Sequence, residues 1–146
     1  MFERACVIGV GLIGGSLARD LRARGLAGHV VGCSRKRQNL ERAEALGVID
    51  EGEPSLANAV AGADLVVLAM PLGAMRSVLD AVSPHLCEGA VLTDVGSAKG
   101  SVIEDARAAF GALPPGFVPA HPIAGTERSG VDASFEGLFE QRRVIL

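Results

Sequence analysis

Short apolar runs alternate along the chain with segments in which apolar residues recur at helical spacing. The apolar runs predict buried strands at 5–10, 29–33, 64–70, 90–95 and 117–120, with a shorter strand at 48–50. The helical spacing predicts helices from the first strand to Gly25 and at 37–46, 54–60, 75–82 and 101–110. A weaker helical pattern through Phe135, Leu138 and Phe139 precedes the start of a strand at 144–146. Since such alternation requires right-handed crossovers, the sequence predicts an α/β fold with a doubly wound, mostly parallel sheet.

The first strand-to-helix turn carries three glycines in the spacing G-x-G-x-x-G, namely Gly9, Gly11 and Gly14. In dinucleotide sites the first glycine permits the turn, the second admits a pyrophosphate, and the third lets the helix pack on the strand. A helix beginning with Leu12 and Ile13 would point free N–H groups at the phosphates. A glycine-rich turn without a ligand is the alternative. In this context the motif predicts a Rossmann-type dinucleotide-binding fold.

Cofactor choice depends on residues about twenty positions after the motif, where an acid binds the adenine ribose or a basic residue accepts a 2′-phosphate. This position holds Ser34 and Arg35 and no carboxylate. Ser34 can donate a hydrogen bond and Arg35 can bind a phosphate with its charged fork, which favours NADP over NAD. Alternatively, Arg35 begins a solvated helix or stacks on adenine and leaves NAD acceptable.

Two further segments follow predicted strand ends. Met70 and Pro71 would place apolar groups along the dinucleotide, or they simply end the strand. Ser97 could hydrogen-bond a substrate or a catalytic group, and Lys99 could hold a phosphate or carboxylate. As a plain helix cap or turn residue, Ser97 would need no function.

His121 is the best candidate for a general base. Pro122 restricts it to an extended conformation, and the glycines that follow allow a compact loop. An unperturbed histidine pKa of roughly 6.5 suits acceptance of a hydroxyl proton near neutral pH. The competing interpretation is a hydrogen-bonded loop residue without a catalytic role.

Composition narrows the class of protein. The 146 residues are 49% hydrophobic and carry a net charge of -3, which predicts one globular domain. Scattered arginines and the absence of Trp and Tyr argue against binding to nucleic acid or to a membrane surface. Three cysteines in or near apolar runs predict reduced, buried thiols. With no leader or spanning segment, we expect a cytoplasmic protein with no metal site.

Three motifs, GVGLIGGSLA, TDVGSAKG and HPIAGTERSG, occur in this order over essentially the whole chain. Together they resemble the nucleotide-binding half of the prephenate and arogenate dehydrogenases of tyrosine biosynthesis. The resemblance implies NAD(P)-dependent oxidative decarboxylation of a small-molecule substrate, prephenate or arogenate. It implies that His121 is the catalytic base and that Ser97 supports it and contacts substrate or nicotinamide. It also implies that Thr126 and Glu127 bind substrate or gate the mouth of the site.

The family continues beyond such a segment into a helical domain that dimerises and supplies further substrate-binding residues. We therefore expect residues 1–146 to be a dinucleotide-binding domain truncated before that domain, with the intact protein a homodimer. Members that prefer NAD usually carry an acid at the position of Ser34, which supports the lean towards NADP. Two other classes stay open: another Rossmann reductase, such as a β-hydroxyacid or imine reductase, and a non-catalytic dinucleotide-binding or redox-sensing module.

Overall fold

The computed structural model describes residues 1–146, which form eight strands and five α-helices. The strands are β1 (Phe2–Ile8), β2 (Ala27–Cys33), β3 (Glu51–Gly52), β4 (Leu65–Leu68), β5 (Val91–Asp94), β6 (Phe117–Val118), β7 (His121–Pro122) and β8 (Val144–Ile145). The helices are α1 (Leu12–Ala23), α2 (Arg37–Ala45), α3 (Leu56–Val60), α4 (Met75–Val82) and α5 (Lys99–Phe110). Single 3-10 turns occupy 72–74, 83–85 and 131–133. None of the helices combines the length and apolar character needed to cross a membrane.

Six strands form one fully parallel sheet in the order β3-β2-β1-β4-β5-β6. This is the strand order of the Rossmann fold, in which the direction of winding reverses between β1 and β4. The predicted α/β class and doubly wound parallel sheet are therefore confirmed.

The sheet is covered on both faces, as parallel sheets require. One apolar cluster packs β1, β2, β4 and β5 against α3, α4 and α5, with Leu68, Leu79 and Leu92 fully buried. The other packs the opposite face against α1 and α2, with Val7, Val30 and Val67 at its centre. The buried stretches of β1, β2 and β4 are consequently almost entirely apolar, which makes these strands recognisable in the sequence.

Some predicted boundaries were wrong. The third strand covers Glu51–Gly52 and not 48–50, because Val48 and Ile49 fill the core as part of a turn. The Asp50 carboxylate accepts the Val30 N–H at 2.7 Å. A side-chain hydrogen bond to β2 therefore comes one residue before the backbone ladder between β2 and β3, which begins at Glu51. Helix α5 begins at Lys99, two residues earlier than expected.

The helix predicted around Phe135, Leu138 and Phe139 does not form. Instead, the segment 131–140 lies across α1 in a series of turns, and its backbone donors bind α1 side chains. Phe135 N–H donates to Ser16 Oγ at 3.1 Å and Gly137 N–H donates to Asp20 Oδ1 at 2.8 Å. The chain then reaches β8, which pairs antiparallel with β7 outside the main sheet.

Candidate functional site

The carboxyl ends of the parallel strands meet at one edge of the sheet, where open α/β sheets bind their ligands. Each predicted site residue follows one of these ends or lies in the loop beyond β7. They comprise Gly9, Gly11, Leu12, Ile13 and Gly14 after β1, Ser34 and Arg35 after β2, Met70 and Pro71 after β4, Ser97 after β5, His121 after β6, and Thr126 and Glu127 beyond β7.

The three glycines of the motif have different surroundings. Gly9 has a φ of 93°, and a Cβ there would lie 2.5 Å from the Ala69 carbonyl oxygen. A Cβ on Gly14 would overlap the Gly9 carbonyl oxygen and approach Val7 Cγ1 to 3.1 Å. A Cβ on Gly11, in contrast, would meet nothing within 4 Å. The fold thus requires Gly9 and Gly14, whereas Gly11 leaves open space at the surface of the turn.

The N-terminus of α1 borders that space. Gly11 caps the helix without a side-chain hydrogen bond, and the first helical bond joins Gly15 N–H to the Gly11 oxygen at 2.9 Å. The N–H groups of Leu12, Ile13 and Gly14 therefore lack intrahelical acceptors. Free donors, the positive end of the helix dipole and room for close backbone approach together fit a pyrophosphate.

At the end of β2, Ser34 is half-buried and Arg35 is exposed. The Ser34 hydroxyl accepts the Lys36 N–H at 3.4 Å and so shapes the turn into α2.

Sequence reasoning missed Glu53, an acid that lies just beyond β3. Its carboxylate accepts the Ser55 N–H at 2.9 Å. The Glu53 N–H donates to the Gly32 carbonyl at 2.9 Å, which places this residue beside the end of β2. Burial, followed by the nearby charge of Glu53, raises the pKa of Cys33 to about 11. Its position after a neighbouring strand end was the available signal in the sequence.

The loops after β4 and β5 approach each other, and the loop after β7 approaches the start of α1. A Cβ on Gly96 would lie 2.7 Å from Leu72 Cδ2, so the Met70–Leu72 segment contacts the loop that carries Ser97. A Cβ on Gly125 would lie 3.8 Å from Ile13 Cδ1, so the loop carrying Thr126 and Glu127 passes beside the start of α1. The side chains of Ser97, Thr126 and Glu127 are exposed at this edge.

His121 is half-buried. It follows Ala120, whose backbone N–H and carbonyl are both bound by side chains. Ala120 N–H donates to Asp94 Oδ1 at 3.1 Å, and Lys99 Nζ donates to the Ala120 carbonyl at 2.7 Å. Lys99 also forms an ion pair with Asp94. The lysine that the sequence suggested for a phosphate or carboxylate ligand is therefore already bound within the protein, and its partner Asp94 was not anticipated.

This combination of strand order, glycine turn and uncapped helix defines a dinucleotide-binding domain of the kind that dehydrogenases carry. The chain matches the family described as the nucleotide-binding domain of prephenate dehydrogenase over residues 17–146. It belongs to that family, as its three motifs suggested.

Relatives of established name agree with this assignment. The cyclohexadienyl dehydrogenase of Zymomonas mobilis is 39% identical over 147 residues, an alignment that covers 100% of this chain and 49% of the relative. The prephenate dehydrogenase of Bacillus subtilis is 33% identical over 100% of this chain and 39% of its own length. The chain thus spans about half or less of the length of these relatives.

Solved structures give the same result. Prephenate dehydrogenase from Aquifex aeolicus, in complex with hydroxyphenyl propionate and NAD+, superposes with a TM-score of 0.88 at 36% identity, covering 99% of this chain and 50% of that one. Arogenate dehydrogenase from Synechocystis gives 0.87 at 35%, covering 97% and 48%. A 3-hydroxyisobutyrate dehydrogenase from Mycobacterium tuberculosis is only 21% identical at a TM-score of 0.70, covers 90% and 43%, and shares the fold alone. The alternative reductase and sensor classes are not favoured.

Proposed function

We propose that this chain is the nucleotide-binding half of an NAD(P)-dependent dehydrogenase of tyrosine biosynthesis that oxidatively decarboxylates prephenate, arogenate or both. Prephenate would yield 4-hydroxyphenylpyruvate, and arogenate would yield tyrosine. The observation that carries the proposal is a histidine, His121, following β6 at the same sheet edge as the glycine turn, in a chain of this family.

The proposed chemistry assigns a role to each predicted residue. His121 binds the ring hydroxyl and accepts its proton, which assists departure of hydride from the carbon that bears the hydroxyl. When bound, NAD(P) accepts that hydride. Carbon dioxide is lost as the ring becomes aromatic. Ser97 supports His121 and contacts substrate or nicotinamide, while Thr126 and Glu127 line the mouth of the site.

The proposed dinucleotide site uses the open surface at Gly11, the N–H groups of Leu12 and Ile13, and the Met70–Pro71 turn. We propose a preference for NADP, because Arg35 offers an exposed guanidinium where a 2′-phosphate is bound in this fold. Glu53 acts in the opposite direction, since a carboxylate near the end of β2 repels a phosphate. The balance between these two charges decides the preference.

We further propose that a second, helical domain completes the active site and joins two subunits into a homodimer in the cytoplasm. The half-length coverage of the relatives supports this arrangement. Residues 1–146 alone should then bind dinucleotide but turn over substrate slowly or not at all. Rapid prephenate-dependent reduction of NADP or NAD by residues 1–146 alone would contradict it.

The cofactor proposal is tested by titrating residues 1–146 with NADPH and NADH, following nicotinamide fluorescence. We expect NADPH to bind more tightly. Arg35→Ala should weaken NADPH binding by roughly 10- to 100-fold, the value of one charge-assisted contact, and leave NADH binding unchanged. If Arg35→Ala weakened NADPH and NADH binding equally, Arg35 would not be the residue that binds the 2′-phosphate.

The reaction itself is tested with the complete protein, by following nicotinamide reduction on addition of prephenate or arogenate and identifying the product. Formation of 4-hydroxyphenylpyruvate or tyrosine together with reduced nicotinamide is the expected result. Reduction that depends on a β-hydroxyacid, with none on prephenate or arogenate, would overturn the proposal.

A further inference from the structure

Asp94, the last residue of β5, is a buried carboxylate with only 1% of its surface exposed. Its Oδ2 accepts the Gly96 N–H at 2.8 Å and pairs with Lys99, and its Oδ1 accepts the Ala120 N–H at 3.1 Å. Both oxygens are thus used within the protein. A buried charge is tolerated where it is paired and hydrogen-bonded in this way.

The pair holds the backbone of Ala120 at both of its polar groups. Asp94 binds the N–H, and Lys99 binds the carbonyl at 2.7 Å. Beyond Val118 the main sheet no longer guides this segment, because β6 pairs with β5 only at Phe117 and Val118 and Pro119 has no N–H to donate. The Asp94–Lys99 pair therefore continues the attachment to β5 up to the residue before His121.

His121 has one other backbone attachment. It lies opposite Ile145 in the two-residue ladder between β7 and β8, which is separate from the main sheet. Ile145 is half-exposed. This ladder is not part of the sheet that contains β5, whereas the ion pair joins β5 to the residue immediately before His121.

We propose that Asp94 and Lys99 are positioning residues that set the place of His121 relative to Ser97. Ser97 lies on the same loop, between the two members of the pair, so one short segment determines both predicted catalytic groups. The pair acts through the Ala120 backbone and does not touch the reacting atoms. This inference rests on the proposed function of His121.

The competing role for Lys99 is direct binding of a substrate carboxylate. The two roles differ in kinetics. Loss of a positioning contact lowers kcat while binding is retained, whereas loss of a ligand contact shared by ground and transition states raises KM with kcat unchanged.

Lys99→Met in the complete protein separates these roles, because methionine keeps most of the chain length and removes the donors. We expect kcat to fall by roughly 10- to 100-fold, as misplacement of a catalytic group does, with substrate KM and nucleotide Kd unchanged. Lys99→Arg should recover part of kcat. Arg76→Met is the matched control, since it breaks an exposed ion pair with Asp80 on α4. A raised KM with normal kcat in Lys99→Met would overturn the proposal.

Hydrogen exchange tests, without any substrate, whether the Asp94–Lys99 pair holds the Ala120 backbone. The Ala120 amide should be protected in the wild-type protein and exchange at least about tenfold faster in Lys99→Met, while β4 amides are unaffected. Unchanged exchange at Ala120 would overturn the positioning role of the Asp94–Lys99 pair even if kcat falls. Faster exchange in a protein that does not oxidise prephenate or arogenate would instead overturn the proposed reaction. Should Lys99→Met fail to fold, the near-isosteric Asp94→Asn must show the same two effects, and normal kcat with normal exchange in that variant would contradict the inference.

Discussion

Gly11 and Gly14 belong to one motif but have opposite surroundings. At Gly14 an added methyl overlaps the Gly9 backbone oxygen, which no rotamer change relieves. A steric cost of about 1–3 kcal/mol is set against a gain of about 1 kcal/mol in helix propensity, so Gly14→Ala should lower the free energy of unfolding by up to about 2 kcal/mol. Denaturant unfolding of residues 1–146 measures this loss.

Gly11→Ala is the matched variant with the opposite expectation. Its methyl enters open space, so the free energy of unfolding should change by less than about 1 kcal/mol. Dinucleotide affinity should nevertheless fall by at least about tenfold, because the methyl takes the space needed for close approach of the pyrophosphate. Tight dinucleotide binding by Gly11→Ala would show that this surface is not the phosphate site.

The buried thiols of Cys6 and Cys33 make the stability of the folded protein depend on pH in the alkaline range. Burial raises the pKa of Cys6 to about 12 and that of Cys33 to about 11, from an ordinary value of 9.0. The folded state therefore keeps protons that the unfolded chain loses, and the stability present below pH 9 declines as the pH rises from 9 towards 11 for Cys33 and towards 12 for Cys6. The loss should reach about 3 kcal/mol at pH 10.

Urea unfolding at pH 8 and pH 10 measures this effect. The Cys6→Ala/Cys33→Ala double variant is the control, because it retains all other titrating groups. A wild-type protein that loses no more stability than the double variant over this range would contradict the assignment of the loss to the two thiols.

At the scale of elements, the 131–140 segment is attached to α1 by side chains of that helix. Asp20, which is 8% exposed, accepts the Gly137 N–H, and Arg19 Nε donates to Ser134 Oγ at 3.0 Å. Asp20→Ala leaves the Gly137 donor without its partner and should reduce the free energy of unfolding by about 1–3 kcal/mol. Amide exchange should accelerate across 131–140 before it does in the sheet.

Asp80→Ala is the comparison for this variant. Asp80 pairs with Arg76 on an exposed helix face, where an ion pair contributes less than about 1 kcal/mol. Equal effects of Asp20→Ala and Asp80→Ala on stability and exchange would mean that the contacts to α1 do not hold the segment.

The same segment illustrates what local pattern could not predict. The spacing of Phe135, Leu138 and Phe139 imitates a helix, yet only Leu138 is buried. The backbone donors of Phe135 and Gly137 find acceptors on Ser16 and Asp20, more than a hundred residues away along the chain. Helix α4, in contrast, was predictable because the residues that carry its helical spacing are all buried in one core, namely Met75, Val78, Leu79 and Val82.

For the whole molecule, strand-to-helix alternation and the glycine motif together predicted the sheet class and the edge at which site residues follow the strands. They could not predict that Asp94 and Ala120 meet. That contact depends on the register that pairs Thr93 with Val118, which is set by tertiary packing. Glu53 escaped notice for a similar reason, because its closeness to β2 arises from strand pairing.

The proposed function requires His121 to serve as the base of a prephenate or arogenate dehydrogenase whose dinucleotide site lies at the glycine turn. The most direct test is the steady-state rate of His121→Asn in the complete protein, with prephenate and arogenate as substrates. Nucleotide Kd is measured on the same preparation to show that the fold and the cofactor site are retained.

We predict that kcat falls by roughly 10²- to 10⁴-fold, the usual contribution of a positioned general base, while nucleotide Kd stays within about twofold of wild type. A variant that oxidises prephenate or arogenate at the wild-type rate would contradict the account.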